Sequence, residues 1–382
     1  MNYKYITASA SALIVCLAAI TGASAQSASA VHNSFAPPSV PASMNTARYD
    51  AASTSLPNGN LLLAGGGGTN AFLDTLEIYR WKLNTFIPDS ALPGMSSLRA
   101  NETATLLLNG KVLIAGGAVD DSTWTNTTDI YDPATKTITP GPDMSDQREG
   151  AIAALLPNGL VLIAGGRNSA GTLVSTDLYH PRKNTITPGP AMNVARYDCA
   201  IATLPNGRLM IIGGFGAVTQ SQPLDSTEIY DPATNTFAAA SKTPTMNDAR
   251  GGARATNLPS GLVLVTGGSD NAGVVATTEM YHPTTRKFTM GPDMSGPRKF
   301  HSQILLSNGR VLIAGGYTDN SGTNVVSTTD LYHPATKTIT PGPDMNDPRG
   351  LASATLLPNG RVLIAGGTNG TGLNATTDLY RP

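Results

Sequence analysis

The feature that most constrains this sequence is a glycine pair that recurs seven times, each time after a short aliphatic run. Successive pairs lie 48 to 54 residues apart. The pairs are Gly65-Gly66, Gly116-Gly117, Gly165-Gly166, Gly213-Gly214, Gly267-Gly268, Gly315-Gly316 and Gly366-Gly367. A repeat of about 50 residues that contains four short strands is typical of the blades of a β-propeller. The sequence therefore predicts an all-β, seven-bladed propeller.

Within each repeat we expect four strands, labelled a to d from the propeller axis outward. An Asn-Gly pair separates strands a and b in six repeats, and Ser260-Gly261 does so in the remaining one. Asn-Gly favours a tight hairpin because a type I′ turn needs positive φ at both central residues. Strand b is continuously apolar and strand d is polar, as in residues 112–115 and 136–139. This gradient is expected where b is covered on both faces and d forms the outer edge.

The two ends of the sequence predict how the ring closes. The last repeat stops at Pro382, before its fourth strand, whereas residues 32–43 carry an outer-strand pattern around Phe35. One repeat alone buries too little apolar surface to offset the entropy of ordering its chain. We therefore expect residues 32–43 to complete the last blade. The predicted blades are 45–94, 95–143, 144–191, 192–245, 246–293, 294–344, and 345–382 together with 32–43.

The first 25 residues predict an export signal. An apolar stretch at residues 6–20 follows Lys4, and Ala23-Ser24-Ala25 is a small-residue cleavage site. Residues 26–31 then form a short linker to the propeller, which spans residues 32–382. The mature protein is expected to be secreted or periplasmic, with no membrane span and, with Cys199 as its single cysteine, no internal disulfide.

The charge of the chain argues against a nucleic-acid partner. Charged residues make up 13% of the sequence, and the formal net charge is −1. Binding to a phosphate backbone depends on a basic surface, which such a balance does not supply. We expect a monomer that binds a protein or a glycan and requires no cofactor.

These motifs resemble the kelch repeat family. The V-L-I-A-G-G run, the Y-[DH]-P turn and the P-x-M-x-x-x-R junction match the family pattern over residues 32–382. Phenylalanine or isoleucine replaces the usual tryptophan of the outer strand, and both keep that position apolar. The repeats are similar to those of the central domain of galactose oxidase. The resemblance implies a kelch-type propeller that serves mainly as an interaction scaffold.

Residues that occur in every repeat are expected to stabilise the fold rather than to bind a ligand. Seven arginines and seven acids recur at fixed offsets, which predicts structural ion pairs. The arginines are Arg48, Arg99, Arg148, Arg196, Arg250, Arg298 and Arg349, and the acids are Glu77, Asp129, Asp177, Glu228, Glu279, Asp330 and Asp378. The turn histidines His180, His282 and His333 are expected to be polar turn residues, so no metal site is predicted.

Residues peculiar to one blade are the better site candidates. The face that bears the b–c loops and the blade-to-blade links, which we call the loop face, carries the variation in length and is the expected binding face. Its candidate residues are Phe72, Trp124, Arg167, Phe215 and Tyr317. If exposed, these aromatics could stack on sugars or anchor a peptide; the alternative is that they pack on their own blades.

A second group of candidates follows the junction arginines, where strand a begins beside the axis. This channel-mouth group comprises Tyr49, Asp50, Glu102, Glu149, Tyr197, Asp198, Cys199, Lys299, Phe300 and His301. Carboxylates, aromatics and a histidine at a channel mouth could hold a polar ligand or form a hydrated plug. No catalytic residue is assigned, and the preferred hypothesis is a non-enzymatic binding module.

Two enzymatic alternatives follow from the resemblance. A copper-radical oxidase like galactose oxidase would need an R-x-Y-H-S element, but the matching stretch has Phe300 before His301. A sugar mutarotase or epimerase, like the exported sialic-acid epimerase, would need a carboxylate and a basic group on one ligand. Glu102 or Glu149 with Arg254 or His301 are the pairs that the sequence offers for that chemistry.

Overall fold

The computed structural model describes residues 33–37, 42–216 and 222–382, and it confirms the seven-bladed propeller. Seven antiparallel sheets of four strands each succeed one another along the chain, and a two-stranded hairpin extends one b–c loop. Strand a of the first blade contacts strand a of both the second and the last blade, so the sheets form a closed ring. The predicted export signal, and residues 32 and 38–41 of the predicted closing segment, lie outside the described residues.

The strands follow the repeat closely. Strand a comprises Ala52–Ser55, Thr103–Leu106, Ile152–Leu155, Ala200–Thr203, Arg254–Asn257, Ser302–Leu305 and Ser353–Leu356. Strand b comprises Leu61–Ala64, Val112–Ala115, Val161–Ala164, Leu209–Ile212, Val263–Thr266, Val311–Ala314 and Val362–Ala365. Strand c comprises Leu76–Arg80, Thr128–Asp132, Thr176–His180, Thr227–Asp231, Thr278–His282, Thr329–His333 and Thr377–Arg381.

The outer strands are more varied in length. Strand d comprises Thr85–Phe86, Thr137–Pro140, Thr185–Pro188, Thr236–Phe237, Lys287–Met290, Thr338–Pro341 and, in the last blade, Ser34–Phe35. The extra hairpin pairs Arg167–Asn168 with Gly171–Thr172, and short 3-10 helices occupy Asp89–Ala91 and Ala240–Lys242. No helix in the described ranges is long and apolar enough to cross a membrane.

The hydrophobic core lies between the blades rather than within any one of them. Leu113 and Ile130 of the second blade pack on Ala153, Val161 and Ile163 of the third. All four residues of every strand b are buried, because a neighbouring blade covers each face. A blade taken out of the ring would expose both of these faces to water, which explains why the repeats are stable only together.

The N-terminal segment closes the ring as predicted. Ser34 and Phe35 pair with Arg381 and Tyr380 of the last blade. The rings of Phe35 and Tyr380 lie 5.3 Å apart. The Ala36 amide also donates to the Leu379 carbonyl at 2.9 Å. The outer strand of the last blade therefore comes from the start of the chain, and the head and the tail of the chain share one sheet.

The recurrent arginines and acids form buried ion pairs, which confirms their predicted structural role. The seven pairs are 2.7 to 3.6 Å long, and both partners are at most 1% exposed. Arg148 is representative: its Nη2 contacts Asp177 at 2.9 Å, and its Nη1 donates to the carbonyls of Gly165 and Ser175. The Arg148 carbonyl in turn accepts the Gly117 amide of the preceding blade at 2.8 Å. Each arginine thus links two blades.

The glycine pairs are required by this same junction. Gly165 has a φ of +67°, and a Cβ atom there would lie 2.4 Å from the carbonyl oxygen of Arg196 in the next blade. Such a distance is sterically forbidden, and the backbone conformation is one that favours glycine. The glycine pair therefore lets two blades approach closely enough for the backbone of one to bond the other.

The turn histidines behave as the sequence predicts. The Nε2 atoms of His180, His282 and His333 hydrogen-bond threonine hydroxyls on the adjacent strand d at 2.9 to 3.1 Å. Each histidine belongs to a different blade. Their shared role is to join the outer two strands of a sheet.

Removing one junction arginine is expected to destabilise the whole ring. Arg148→Ala leaves Asp177 buried without its cation, which should lower the free energy of unfolding by about 3–5 kcal/mol. Arg208→Ala is the matched control, because its ion pair with Asp231 is partly exposed and should contribute only about 0–1 kcal/mol. Urea unfolding of both variants measures the difference; equal losses would contradict the assignment.

Deleting residues 32–43 is expected to lower the melting temperature, because strand c of the last blade would become an open edge and Tyr380 would lose its ring contact. A calorimetric scan measures this. Phe237→Ala is a useful reference, since Phe237 makes the equivalent contact with Tyr230 at 5.2 Å inside a blade whose strands are contiguous. A truncated protein that melts like the intact one would show that the segment does not close the ring.

Candidate functional site

A closed circle of backbone hydrogen bonds surrounds the propeller axis where each strand a begins. The residue two positions after each junction arginine has a φ between 50° and 67°. These residues, the axial ring, are Asp50, Asn101, Gly150, Asp198, Gly252, Phe300 and Leu351. Each ring amide donates to the ring carbonyl of the preceding blade at 2.9 to 3.3 Å, and the bond from Asp50 to Leu351 closes the circle. The ring fixes the diameter of the channel at this level.

The side chains of the axial ring fill its centre. Asp50, Asn101, Asp198, Phe300 and Leu351 are each at most 6% exposed. The channel-mouth prediction left a ligand site and a plug as alternatives, and the structure places Asp50, Asp198 and Phe300 in a plug. These side chains are therefore shielded from solvent at the level of the ring.

Glycine in the ring makes room for its neighbours. A Cβ atom at Gly150 would lie 2.8 Å from Asp198 Oδ1 and 3.5 Å from Asn101 Nδ2. Asn101 and Asp198 can therefore approach each other across the third blade only because that blade contributes a glycine.

Asp198 is the most strongly perturbed group of the plug. Burial raises its pKa well above the usual range and Glu149 adds to the effect, whereas Arg167, Arg254 and a side-chain hydrogen bond with Asn101 oppose it. Burial of a carboxylate favours its protonated form. Asp198 is thus a buried carboxyl group whose pKa is raised by desolvation in spite of these partners.

An aromatic cluster lies on the loop-face side of the ring. It consists of Tyr197, Phe215, Phe300 and Tyr317, with Tyr49 packed against it. Tyr197 and Phe215 have ring centroids 5.3 Å apart, and Phe300 meets Tyr317 edge to face at 6.5 Å. We call these five residues the axial aromatic cluster. The cluster joins the two candidate groups, because it contains members of both.

The sequence left open whether the loop aromatics are exposed or packed on the blades, and Phe215 and Tyr317 are packed. Their exposures are 6% and 1%, because each ring lies over a glycine of the next blade, Gly251 and Gly350 respectively. Phe72 and Trp124 are half-buried and pair with residues of their own blades. These four side chains therefore pack on the propeller instead of projecting from it.

Three charged candidates form a rim above the cluster. Arg167 Nε contacts Glu149 Oε1 at 2.9 Å, and the Arg167 guanidinium lies 4.9 Å from the centre of the Tyr197 ring. Lys299 Nζ donates to Asn320 at 2.8 Å, and burial lowers the pKa of Lys299. The side chain of Arg167 remains 21% exposed. Glu149 and Lys299 are 6% and 9% exposed, so Arg167 is the member of this group that reaches solvent. We call the three residues the charged rim.

Glu102, Cys199 and His301 are not at the channel mouth, and the structure corrects this placement. They occupy a position that is alanine in the other four blades, beside the glycine pair, and each is at most 2% exposed. Burial raises the pKa of Glu102 to about 7 and that of Cys199 to about 12. Burial lowers the pKa of His301 well below its usual range. All three therefore lie between blades and not on a binding surface.

The acid and base pairs that epimerase chemistry would need are not brought together. The carboxylates that act on Arg254 electrostatically are Asp198 and Asp50, rather than Glu102 or Glu149. His301 Nε2 is hydrogen-bonded to the Thr266 hydroxyl at 2.7 Å.

Two ring residues, Asn101 and Leu351, were not among the candidates taken from the sequence. Their position in the sequence could have indicated them, because each lies two residues after a junction arginine.

The residues present do not fit a copper centre. Within residues 33–37, 42–216 and 222–382, no three His, Cys, Asp or Glu side chains are grouped so that they could hold a metal ion. Phe300 offers no oxygen, and Leu351 at the neighbouring ring position offers no ligand atom. Copper coordination favours imidazole, thiolate and phenolate donors, so no step of a metal-dependent reaction follows from this site.

Comparisons with known proteins agree with this architecture. The family model described as Kelch motif matches residues 195–244 and 257–295. Galactose oxidase of Gibberella zeae is 28% identical over 137 residues, which is 36% of this chain. The matched segment spans 17% of the length of that relative. A second Gibberella zeae galactose oxidase sequence matches to the same extent.

The structural comparison supports the fold alone. A fungal alcohol oxidase of the AA5 family, solved in complex with copper, superposes with a TM-score of 0.70 and 16% identity. The match covers 92% of this chain and 76% of that one. At this identity the likeness extends to the arrangement of blades and carries no information about chemistry.

Glu102 is expected to make stability depend on pH. Its folded pKa of about 7 exceeds the unfolded value of 4.5, so the folded state holds the proton more tightly. The stabilisation is complete below pH 4.5 and is lost as the pH rises through 7, a change on the order of 3 kcal/mol. Denaturant titrations at pH 5 and pH 8 should show this loss in the wild type and much less of it in Glu102→Gln. The same loss in both proteins would refute the assignment.

Proposed function

Because this chain is a kelch-repeat β-propeller related to galactose oxidase, we propose that it is a non-enzymatic binding module for a protein or a glycan. Its ligand is held at the centre of the loop face. We also propose that the protein is exported, with cleavage after Ala25. The observation that carries the first proposal is the charged rim of Arg167, Glu149 and Lys299 above the axial aromatic cluster.

The blade junctions support a binding role. The seven recurrent arginines and their acids are buried in structural pairs, so they are not available to a ligand. The charged rim, in contrast, belongs to single blades and lies where the blades converge. Kelch propellers generally mediate interactions. Because few residues of this chain are charged, the charged rim differs in polarity from the surface around it.

The shape of the site favours recognition over catalysis. The plug of ring side chains lies directly beneath the cluster, so a ligand on this face rests on a floor instead of entering a deep cleft. Aromatic and charged side chains together suit sugars or peptide side chains, because flat apolar faces stack while arginine and lysine donate hydrogen bonds. The site we propose is therefore a shallow recognition surface.

A glycan and peptide array followed by calorimetric titration tests this function. For a ligand so identified, Arg167→Ala and Lys299→Ala should each weaken binding about tenfold, equivalent to about 1.4 kcal/mol. The control is Arg208→Ala, whose ion pair with Asp231 lies on the opposite face beside the a–b turn. Phe215 and Tyr317 are left intact because their replacement would disturb the core. Affinity that is unchanged in both rim variants would move the site away from the loop face.

A further inference from the structure

A groove lies on the face opposite the loop face, between the fourth and fifth blades, and we call it the turn-face groove. The fourth blade lines it with Pro205 and Arg208, at its a–b turn, and the fifth blade with Pro283 and Arg286, at its c–d turn. Its volume is about 250 Å³. Pockets for drug-sized molecules usually measure about 300–1,000 Å³, so the turn-face groove is suited to one bulky side chain.

The floor of the groove is apolar. Leu204, Ile229 and Tyr281 line it, and all three belong to the hydrophobic cluster between the two blades. They are at most 7% exposed, whereas Pro205 and Arg286 are exposed. The buried residues therefore form the base of the groove, and the prolines and arginines form its edges. A flat apolar ring that rests on this base shields it from water.

The equivalent place between the seventh and first blades holds an aromatic ring of the chain itself. Tyr79 occupies there the position of Tyr281, and Trp81 stands where the fifth blade has Pro283. Trp81 packs against the hydrophobic cluster that contains Tyr79, and its Nε1 donates to the Asn58 carbonyl at 3.2 Å. A blade junction of this propeller can therefore accommodate an indole ring. The turn-face groove has the same kind of floor but a proline in place of the tryptophan.

Two arginines distinguish the turn-face groove from the other blade junctions. One position follows the a–b turn of a blade, and the other lies just before strand d of the next blade. The two positions are adjacent, because Arg310 donates to Asn33 at 3.0 Å between the sixth and seventh blades. Only the junction of the fourth and fifth blades has arginine at both positions, as Arg208 and Arg286. The other junctions carry at most one basic residue there.

The positive charge of Arg286 is available to a ligand. Arg208 is neutralised by Asp231, which its Nη2 and Nε atoms contact at 2.8 and 2.9 Å. In contrast, no ion pair of 4.0 Å or less includes Arg286 within residues 33–37, 42–216 and 222–382. The groove therefore has a net positive edge, which complements a carboxylate.

The Tyr281 hydroxyl lies near this charge. In three other blades the equivalent tyrosine donates to an asparagine of the c–d turn at 2.8 to 3.1 Å, and these pairs are Tyr79–Asn84, Tyr179–Asn184 and Tyr230–Asn235. Arg286 replaces that asparagine in the fifth blade. Burial raises the pKa of Tyr281, and the charge of Arg286 opposes the rise. The guanidinium and the hydroxyl are thus close enough to act on one ligand group.

We propose that the turn-face groove binds the C-terminal aromatic residue of a peptide or protein partner, with the ring on the apolar floor and the terminal carboxylate on Arg286. Arginine suits a carboxylate because two parallel N–H groups match its two oxygens. A C-terminal residue carries a side chain and a carboxylate together, and the rest of its chain can extend into solvent. This site lies on the opposite face from the charged rim and does not depend on the proposed function.

Calorimetric titration with the peptide Gly-Gly-Ser-Gly-Trp tests the proposal. The same peptide with a C-terminal amide lacks the carboxylate, and Gly-Gly-Ser-Gly-Ala lacks the aromatic ring. The tryptophan peptide with its free carboxylate should bind the wild type about tenfold more tightly than either comparison peptide, because only it offers both a ring and a charge.

Arg286→Asn removes the charge with little risk to the fold. Arg286 has a φ of 57°, and Asn235 at the same position of the fourth blade has a φ of 54°, a conformation that asparagine tolerates well. This variant should bind the free-carboxylate peptide no more tightly than the amide. Lys337→Asn is the matched control, since Lys337 holds the same position in the sixth blade with a φ of 56°. It should bind like the wild type.

A second variant keeps the test decisive if Arg286→Asn does not fold. Pro283→Trp introduces the residue that the first blade has at this position, and it should cover the floor and block the tryptophan peptide in both its forms. The proposal is overturned if the free-carboxylate peptide shows no saturable binding at millimolar concentration, or if either groove variant binds it as tightly as the wild type. It is equally overturned if Lys337→Asn loses binding as Arg286→Asn does, or if N-acetyltryptophan binds and the peptide does not.

Discussion

Seven buried arginines hold this propeller together, since each one joins its own blade to the blade before it. The Arg148 side chain bonds the strand c acid and the glycine carbonyl of its blade, while its carbonyl accepts an amide from the preceding glycine pair. Seven of the 25 basic side chains and seven of the 26 acidic ones are used in this way. Hydrogen bonds of this kind offset the free-energy cost of removing a buried ion pair from water. Fourteen of the 51 charged side chains are thus committed to the blade junctions.

The same junctions set the geometry of the axis. Two residues beyond each arginine the backbone turns into the left-handed region, and the seven amides and carbonyls at that level bond in a circle. The circle fixes the channel, and the side chains that the ring positions carry decide whether it stays open. Here Asp198, Phe300 and Leu351 are at most 4% exposed, so their side chains close the axis at this level, beneath the loop face.

The likeness to galactose oxidase shows how one β-propeller fold can present different side chains at the same positions. The blades superpose well on those of a copper alcohol oxidase, yet the ring position that would need a phenolate holds Phe300, a hydrocarbon. His301 follows it as the family motif requires, but its ring is buried against Thr266. The fold is preserved because packing needs only apolar bulk at these positions, whereas metal binding needs specific donor atoms.

The sequence by itself determined the architecture: the period, the Asn-Gly turns and the outer-strand pattern around Phe35 predicted seven blades and their closure, because each is a local signal repeated many times. The structural role of the arginines and acids was also predictable from their equal counts. What only the tertiary structure decided is which unique residues meet. The sequence left open whether Phe215 and Tyr317 reach solvent, and the structure places them over glycines of the next blade. It also brings Arg254 and Asp198 close enough for their charges to act on each other. Such interactions join residues about 30 to 60 positions apart across blade boundaries. A local sequence pattern cannot predict them, because it contains no information about the space that a glycine of the neighbouring blade leaves.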